Sequence, residues 1–215
     1  HEVARRIAAG AAVKSLTVES TGGRKTYTLT EGADTIDVSD QNLGPSDCAL
    51  IAAWVATPAG AAVSRLLLNR NHAVTGGEWS TDCDKDLSGV TAVFDTLQPS
   101  SVTELGLSQC RLGPRSLVKL AEYLREATAN VTLLTVDSTG NMNDQKTYSL
   151  SASTENIDLS GKNLGPADIN LVSTWVQRVG MRASAGAVVA RLALNGNPIT
   201  NRGKDLDGLN GLKAL

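Results

Sequence analysis

The stretch 63–71, which reads V-S-R-L-L-L-N-R-N, decides the fold of this chain. Leu66 and Leu68 are two residues apart, so both point to one side of a short strand while Leu67 points to the other. An asparagine at the end of such a strand, here Asn71, can bond backbone groups of neighbouring segments, and buried backbone groups need such partners. The pattern V-x-x-L-x-L-x-x-N therefore predicts a short strand that ends in a buried asparagine corner.

The same pattern recurs along the whole chain. Residues 189–199 fit it with Asn197, and residues 102–112 fit it with Cys110 in place of the asparagine. Looser versions begin at Val13, Ala33, Val131 and Thr154 and carry Thr21, Gln41, Thr139 and Lys162 at the asparagine position. Seven occurrences in 215 residues predict stacked structural repeats.

A longer unit is duplicated as well. Residues 16–22 return as 134–140, an offset of 118 (134 − 16), and Trp54 returns as Trp175, an offset of 121 (175 − 54). We predict one segment, 1–215, with an internal duplication of about 13–130 and 131–215 in which the second copy is incomplete. Because solenoids need polar terminal repeats and neither end has the pattern of one, we expect the segment to be part of a longer array.

Helices are predicted after three Leu-Gly-Pro triplets, at 43–45, 112–114 and 164–166, because proline is favoured in the first helical turn. Apolar residues then follow at helical spacing, and a fourth helix is predicted at about 86–98. In contrast, residues 25–29 and 146–150 alternate like strands. We expect those two extended segments on the outer face, beside the helices.

The segment 112–124, with Leu-Gly-Pro followed by Leu-Ala-Glu-Tyr-Leu, resembles the outer helix of ribonuclease-inhibitor-type leucine-rich repeats. The resemblance implies an α/β leucine-rich-repeat solenoid with a parallel concave sheet and with helices and extended segments on the convex face. It also implies a non-catalytic protein–protein interaction module. The spacing departs from the family, since successive first-strand leucine positions are between 20 (36 − 16) and 39 (105 − 66) residues apart.

The strand register predicts a row of side chains on the concave face. The candidate binding residues are Thr17, Glu19, Asp37, Ser39, Arg65, Asn69, Glu104, Thr135, Asp137, Asp158, Ser160, Arg191 and Asn195. Five acids and two arginines give this set a charge of −3 (2 − 5), which suits a partner with Lys or Arg or a hydroxyl-rich ligand. The row has no aromatic residue, so a merely solvated face is the alternative interpretation.

Two further interpretations concern other surfaces. Trp54, Tyr123 and Trp175 occupy one equivalent helical position, where they form either a second binding surface on the outer face or core packing. The functional alternative to a recognition module is a structural spacer or an assembly subunit of a larger complex, which would bind through its ends or its convex face.

Composition excludes several classes of protein. Twenty Lys and Arg against 22 Asp and Glu give a net charge of −2, so nucleic acid is not an expected partner. No apolar run approaches the roughly 18 residues that a membrane span needs, so we expect no membrane insertion. Isolated Cys48, Cys83 and Cys110, together with the lack of a signal-peptide pattern, favour an intracellular protein with reduced thiols.

No catalytic, metal or cofactor site is predicted, and we do not expect an enzyme. The two histidines, His1 and His72, have no nucleophile or acid at matching register, and no phosphate-binding loop of P-loop spacing is present. The acidic stretch 82–86 lacks the glycine and the distal glutamate of a calcium loop. Its carboxylates are better interpreted as acids at a helix N-terminus.

Overall fold

The structure is a computed structural model that describes residues 13–77, 82–98, 100–126, 131–182 and 189–200. His1 and the predicted end of the second copy, beyond residue 200, lie outside the described residues. The strands are β1 (Ser15–Glu19), β2 (Thr26–Thr30), β3 (Thr35–Asp37), β4 (Arg65–Leu67), β5 (Glu104–Gly106), β6 (Leu133–Asp137), β7 (Thr147–Ser151), β8 (Asn156–Asp158) and β9 (Arg191–Ala193). The helices are α1 (Pro45–Val55), α2 (Ser88–Leu97), α3 (Pro114–Glu126) and α4 (Pro166–Arg182), with a 3-10 turn at Pro58–Gly60.

The fold is mixed α/β, and its largest sheet combines parallel and antiparallel strands. Strands β3, β4, β5 and β6 are parallel neighbours, with Ile36, Leu66, Leu105 and Leu134 side by side. β8 and β9 are also parallel, with Ile157 beside Leu192. The pairing follows the L-x-L pattern because each of these apolar residues faces the core.

The prediction that the extended segments lie on the convex face is wrong. They form β2 and β7, which lie in the sheets and run antiparallel to β1 and β6. In β7, Tyr148 and Leu150 are buried and Ser149 is exposed. Two-residue alternation of this kind requires one face in the core and backbone partners on a neighbouring strand, and β6 provides those partners.

The sheet is interrupted at the same place in each copy. No backbone ladder joins β2 to β3 or β7 to β8 among the described strands. Lysine side chains cross both breaks instead: Lys25 Nζ donates to the Asp40 carbonyl at 2.6 Å, and Lys146 Nζ donates to the Gly161 carbonyl at 3.1 Å. In the described part of the chain, the strands therefore form three sheets of two, five and two strands, with a break after each inserted antiparallel strand.

The helix predictions are confirmed. Three helices begin at the prolines of the Leu-Gly-Pro triplets, and α2 occupies 88–97 within the expected range. α1 packs against α2, and α3 packs against α4. The equivalent aromatic residues Trp54, Tyr123 and Trp175 are all buried, which confirms core packing and excludes a second binding surface formed by their rings.

The strand exits share one backbone conformation. Asp40, Arg70, Gln109, Gly161 and Gly196 each precede the asparagine position of the pattern, and all have φ between 55° and 73°. This left-handed conformation is uncommon outside glycine. It directs the N–H toward the following repeat: Asp40 N donates to the Asn69 carbonyl and Arg70 N to the Ser108 carbonyl, both at 2.8 Å.

The buried asparagine corner is also confirmed. The Asn71 amide nitrogen donates to the carbonyls of Val38 and Leu68, and its oxygen accepts the N–H groups of Gln41 and Leu43. One fully buried side chain thus satisfies backbone groups of two adjacent repeats.

Candidate functional site

The candidate site is the side of the five-stranded sheet that faces away from the helices, and we call it the polar sheet face. It includes the following outward-facing residues of β3 to β7: Thr35, Asp37, Arg65, Leu67, Glu104, Gly106, Leu133, Thr135, Ser149 and Ser151. In-register pairing places these residues in two rows across the strands. Neighbouring strands lie about 4.8 Å apart, so each row forms a continuous surface.

An ion pair joins two adjacent strands of the polar sheet face. Arg65 Nε lies 2.7 Å from Glu104 Oε2, and the two residues are direct neighbours in the β4–β5 register. The hydrogen bond and the charge of Glu104 raise the pKa of the Arg65 guanidinium. The two opposite charges neutralise each other. Both side chains are partly exposed, so the ion pair remains in contact with solvent.

Two leucines of the polar sheet face lie next to residues of the ion pair, one in each row. Leu67 and Leu133 are half-buried, and Gly106 lies between their strands. A Cβ atom on Gly106 would lie 3.0 Å from Leu67 Cδ2 and 2.8 Å from Asn69 Nδ2. Glycine at this position therefore allows Leu67 and Asn69 to lean over β5.

Polar residues at the strand exits are hydrogen-bonded to one another. Asn69 Oδ1 accepts bonds from Ser108 N and Oγ at 3.0 and 2.9 Å, and Asn69 Nδ2 approaches Ser39 Oγ at 3.5 Å. On the separate β8–β9 sheet, Ser160 Oγ donates to Asn195 Oδ1 at 2.8 Å. These predicted site residues are organised before any partner binds.

The predicted acidic residues have different environments. Asp37 and Asp158 are exposed, and each accepts the N–H of the residue two positions later, at 3.0 and 2.9 Å. The hydrogen bonds from Ser160 lower the pKa of Asp158. Both carboxylates are accessible to a cationic partner.

The prediction that Asp137 faces solvent is wrong. Asp137 is 4% exposed, and it accepts hydrogen bonds from Thr147 Oγ1 at 2.6 Å and from the Gln109 N–H. Burial raises the pKa of its carboxyl group. The sequence interpretation missed this burial because it placed the segment that contains Thr147 on the convex face, whereas β7 lies beside Asp137.

The thirteen predicted residues lie on three separately hydrogen-bonded sheets. Asp37, Ser39, Arg65, Asn69, Glu104, Thr135 and Asp137 lie on or next to the five-stranded sheet; Asp158, Ser160, Arg191 and Asn195 on the β8–β9 sheet; and Thr17 and Glu19 on β1. Thr17 bonds Thr28 across its hairpin at 2.8 Å, just as Thr135 bonds Ser149 at 2.9 Å. The five-stranded sheet carries the largest of the three groups.

Sequence reasoning missed a pair of buried carboxylates at helix N-termini. Asp47 accepts hydrogen bonds from Gly44 N at the start of α1, from the Thr21 hydroxyl and from the Tyr27 hydroxyl. Asp168 in α4 has the same environment with Gly165, Thr139 and Tyr148. The signal in the sequence was the separation of 20 residues between tyrosine and aspartate, which is repeated in both copies.

The acidic stretch 82–86 supplies acids to two helix N-termini. The Asp86 carboxylate accepts the Ser88 N–H at 2.9 Å at the start of α2. Asp84 is buried and accepts the N–H groups of Gly113 and Arg115 at the start of α3. Within the described residues, no group of three or more His, Cys, Asp or Glu side chains could hold a metal ion.

The three cysteines are unpaired. Cys48 and Cys110 are buried, and burial raises the pKa of the Cys110 thiol to about 12. Cys110 Sγ donates to the Leu68 carbonyl at 3.1 Å, so it replaces asparagine at the corner of its repeat. These two thiols are therefore packing residues.

Among the helices in the described part of the chain, none combines the length and the apolar character that crossing a membrane requires. Comparison with models of known protein families gives no match, and a comparison with curated proteins gives none either.

Proposed function

We propose that this chain is a segment of a leucine-rich-repeat solenoid and that it is a non-catalytic module that binds a protein through the polar sheet face. Three features support the solenoid: the in-register L-x-L strands, the left-handed strand exits and the asparagine corner. Each repeat contributes one strand of the L-x-L pattern whose apolar residues face inward, and the repeats that contain β1 and β6 add an antiparallel strand to it.

The binding role is supported by the composition of the two adjacent rows of side chains on the polar sheet face. The half-buried Leu67 and Leu133 lie beside the Arg65–Glu104 ion pair, and the exposed Asp37 flanks Leu67 on β3. Protein interfaces combine an apolar centre with a polar rim. A partner segment with an apolar side chain above the leucines and a Lys or Arg near Asp37 would complement this face.

A structural spacer or assembly subunit is the second candidate. The internal hydrogen bonds of the polar side chains favour this candidate. Arg65 bonds Glu104 and Ser108 bonds Asn69, so these groups have hydrogen-bond partners without a bound protein. A groove on the helix side, lined by Leu87, Pro114 and Val118, gives this candidate a surface of its own.

The test is affinity capture from native lysate with the wild-type fragment and two charge-reversal variants, read by mass spectrometry. One variant is Asp37→Lys, which is exposed on the polar sheet face. The control is Asp95→Lys, which is exposed on α2 and changes the net charge equally.

A protein retained by the wild type and by the control but lost by the sheet variant supports recognition through the polar sheet face. A protein retained by all three contradicts it and moves the function to the helix side or the ends. No retained protein at all favours the spacer.

A further inference from the structure

The helices pack in two pairs that are separated by a groove. α2 packs less extensively against α3 than against α1, and α3 packs mainly against α4. A groove of about 290 Å³ remains between the starts of α2 and α3, and it is lined by Leu87, Pro114, Arg115, Val118 and Lys119. We call it the α2–α3 groove.

The surface of α3 at this groove is apolar and cationic. Arg115, Val118 and Lys119 are three and four residues apart, so they share one face of the helix. Among the residues that the structure describes, Val118 is the only large apolar side chain that is exposed, at 37%. Leu87, just before α2, is half-buried and lines the same groove. The groove therefore has apolar walls bordered by two cations.

The repeat pattern does not explain these side chains. The Leu-Gly-Pro triplets align α3 with α1 and α4, and the position of Val118 is then occupied by Ala49 in α1 and by Asn170 in α4. The position of Arg115 is occupied by serine in α1 and by alanine in α4. Helix packing within a repeat therefore requires neither Val118 nor Arg115, because α1 and α4 form without them.

The two cations of the groove differ in their partners. Lys119 Nζ lies 2.7 Å from Glu122 Oε2 on the same helix, so a carboxylate already balances its charge. Arg115 Nη1 donates to the Asp84 carbonyl at 3.3 Å, and no ion pair of Arg115 occurs within the described part of the chain. Arg115 is exposed, so its charge is available at the rim of the groove.

We propose that the α2–α3 groove binds a segment of a protein partner in which an apolar residue lies within one helical turn of an aspartate or glutamate. The apolar side chain covers Val118 and Leu87 and removes their apolar surface from water. The carboxylate pairs with the Arg115 guanidinium, whose forked donors fit both carboxylate oxygens.

Charge complementarity selects this occupant. Both charged residues that line the groove are basic, so a segment with Lys or Arg beside its apolar residue is disfavoured. The groove lies between helices, whereas the polar sheet face lies on the side of the sheet away from them. Binding in the groove is therefore independent of binding at the polar sheet face.

The test begins with a selection of peptides from a phage-displayed library of random dodecapeptides on the immobilised wild-type chain. Peptides that also bind a chain with both Arg115→Glu and Val118→Ser are removed. We expect the remaining peptides to share an apolar residue close to Asp or Glu. One enriched peptide is then synthesised with a fluorescein label, and its affinity for the chain is measured by fluorescence anisotropy.

Single variants assign the contact to the groove. Arg115→Glu should weaken binding of the labelled peptide by about tenfold or more, because repulsion replaces a charge-assisted hydrogen bond. Val118→Ser should weaken it by about fivefold. Arg24→Glu makes the same charge change at an exposed hairpin position, and Ala49→Ser lies at the equivalent position of α1. Both controls should bind as the wild type does, and so should Asp37→Lys.

A charge exchange separates direct pairing from a general effect of charge. Replacing the acidic residue of the labelled peptide with lysine should weaken its binding to the wild type. The same peptide should regain affinity for the Arg115→Glu chain. This recovery requires that the two side chains meet in the complex.

Several results would overturn the proposal. They are a library without enriched peptides, enriched peptides that lack an acidic residue, affinity unchanged by Arg115→Glu and Val118→Ser, affinity abolished by Asp37→Lys, and a charge exchange without recovery. A wild-type dimer that Val118→Ser dissociates, measured by light scattering, would also overturn it, because the groove would then hold a second copy of the chain. Circular dichroism verifies that each variant is folded.

Discussion

The N–H of Gly113 donates a 3.0 Å hydrogen bond to the carboxylate of Asp84, which lies 29 residues earlier in the chain. The same carboxylate accepts Arg115 N and the Ser116 hydroxyl. Helices α1 and α4 have their own aspartate at the position of Ser116, namely Asp47 and Asp168. The start of α3 therefore depends on a carboxylate from the preceding repeat.

Replacing Asp84 with alanine should lower the free energy of unfolding by about 1–3 kcal/mol, because buried donors at the start of α3 lose their acceptor. Urea unfolding followed by circular dichroism measures the change. The control is Asp82→Ala, since Asp82 lies in the same loop but forms a partly exposed ion pair with Lys85. Its loss should be below about 1 kcal/mol.

A carboxylate moved to the helix should rescue this loss. Ser116→Asp in the Asp84→Ala background recreates the arrangement of α1 and α4 and should recover much of the lost stability. The same substitution in the wild type should destabilise, because it buries two carboxylates together. Equal effects in both backgrounds, measured by urea unfolding, would contradict the shared role.

Asn71→Ala should cost on the order of 3 kcal/mol, because it leaves several buried backbone groups without partners. Asn197 makes equivalent bonds to the Leu159 and Leu194 carbonyls, but it is only half-buried. Water can replace part of its bonding, so Asn197→Ala should cost less. Similar losses in parallel urea titrations would show that burial does not set the difference.

Leu105→Ala should lower stability by about 2–5 kcal/mol, because Leu105 is buried between β4 and β6 and its truncation leaves a cavity. Leu67 lies on the other face and is half-buried. Its alanine variant should lose about 1 kcal/mol or less. Thermal unfolding compares the two, and a shift near zero for Leu105→Ala would be incompatible with the register.

Asp137 should make stability depend on pH in the direction opposite to an ordinary ion-paired aspartate. Its folded-state pKa is raised, so the folded protein holds the proton more tightly than the unfolded chain does. As pH rises above the unfolded pKa of about 3.9, this group therefore reduces stability until the folded-state pKa is passed.

Asp137→Asn removes that dependence. The stability of the variant relative to the wild type should therefore improve from acid to neutral pH, as measured by urea unfolding at a series of pH values. A difference that is constant with pH would show that Asp137 does not titrate differently on folding.

Much of the fold could be predicted because its signals are local. The spacing of Leu66 and Leu68 identifies the buried face of β4, and the proline of each Leu-Gly-Pro triplet marks a helix start. The role of Asn71 is predictable because an amide at the end of such a strand can bond buried backbone groups of neighbouring segments. The candidate binding residues on β3 to β5 follow from the same alternation.

The environment of the site could not be predicted because it depends on which segments become neighbours. Strand periodicity identified β7 as extended but contained no information on its partner, so the burial of Asp137 was missed. In the same way, the aspartate that completes the start of α3 comes from a loop 29 residues away from Gly113.

The sequence by itself determined where the strands and helices form and which of their faces are apolar, because propensity and periodicity act within a few residues. Only the tertiary structure decided that β2 and β7 join the sheets and that Asp84 serves a helix of another repeat. Hydrogen bonds between distant segments depend on how the chain returns through space, and residue spacing alone does not specify that path.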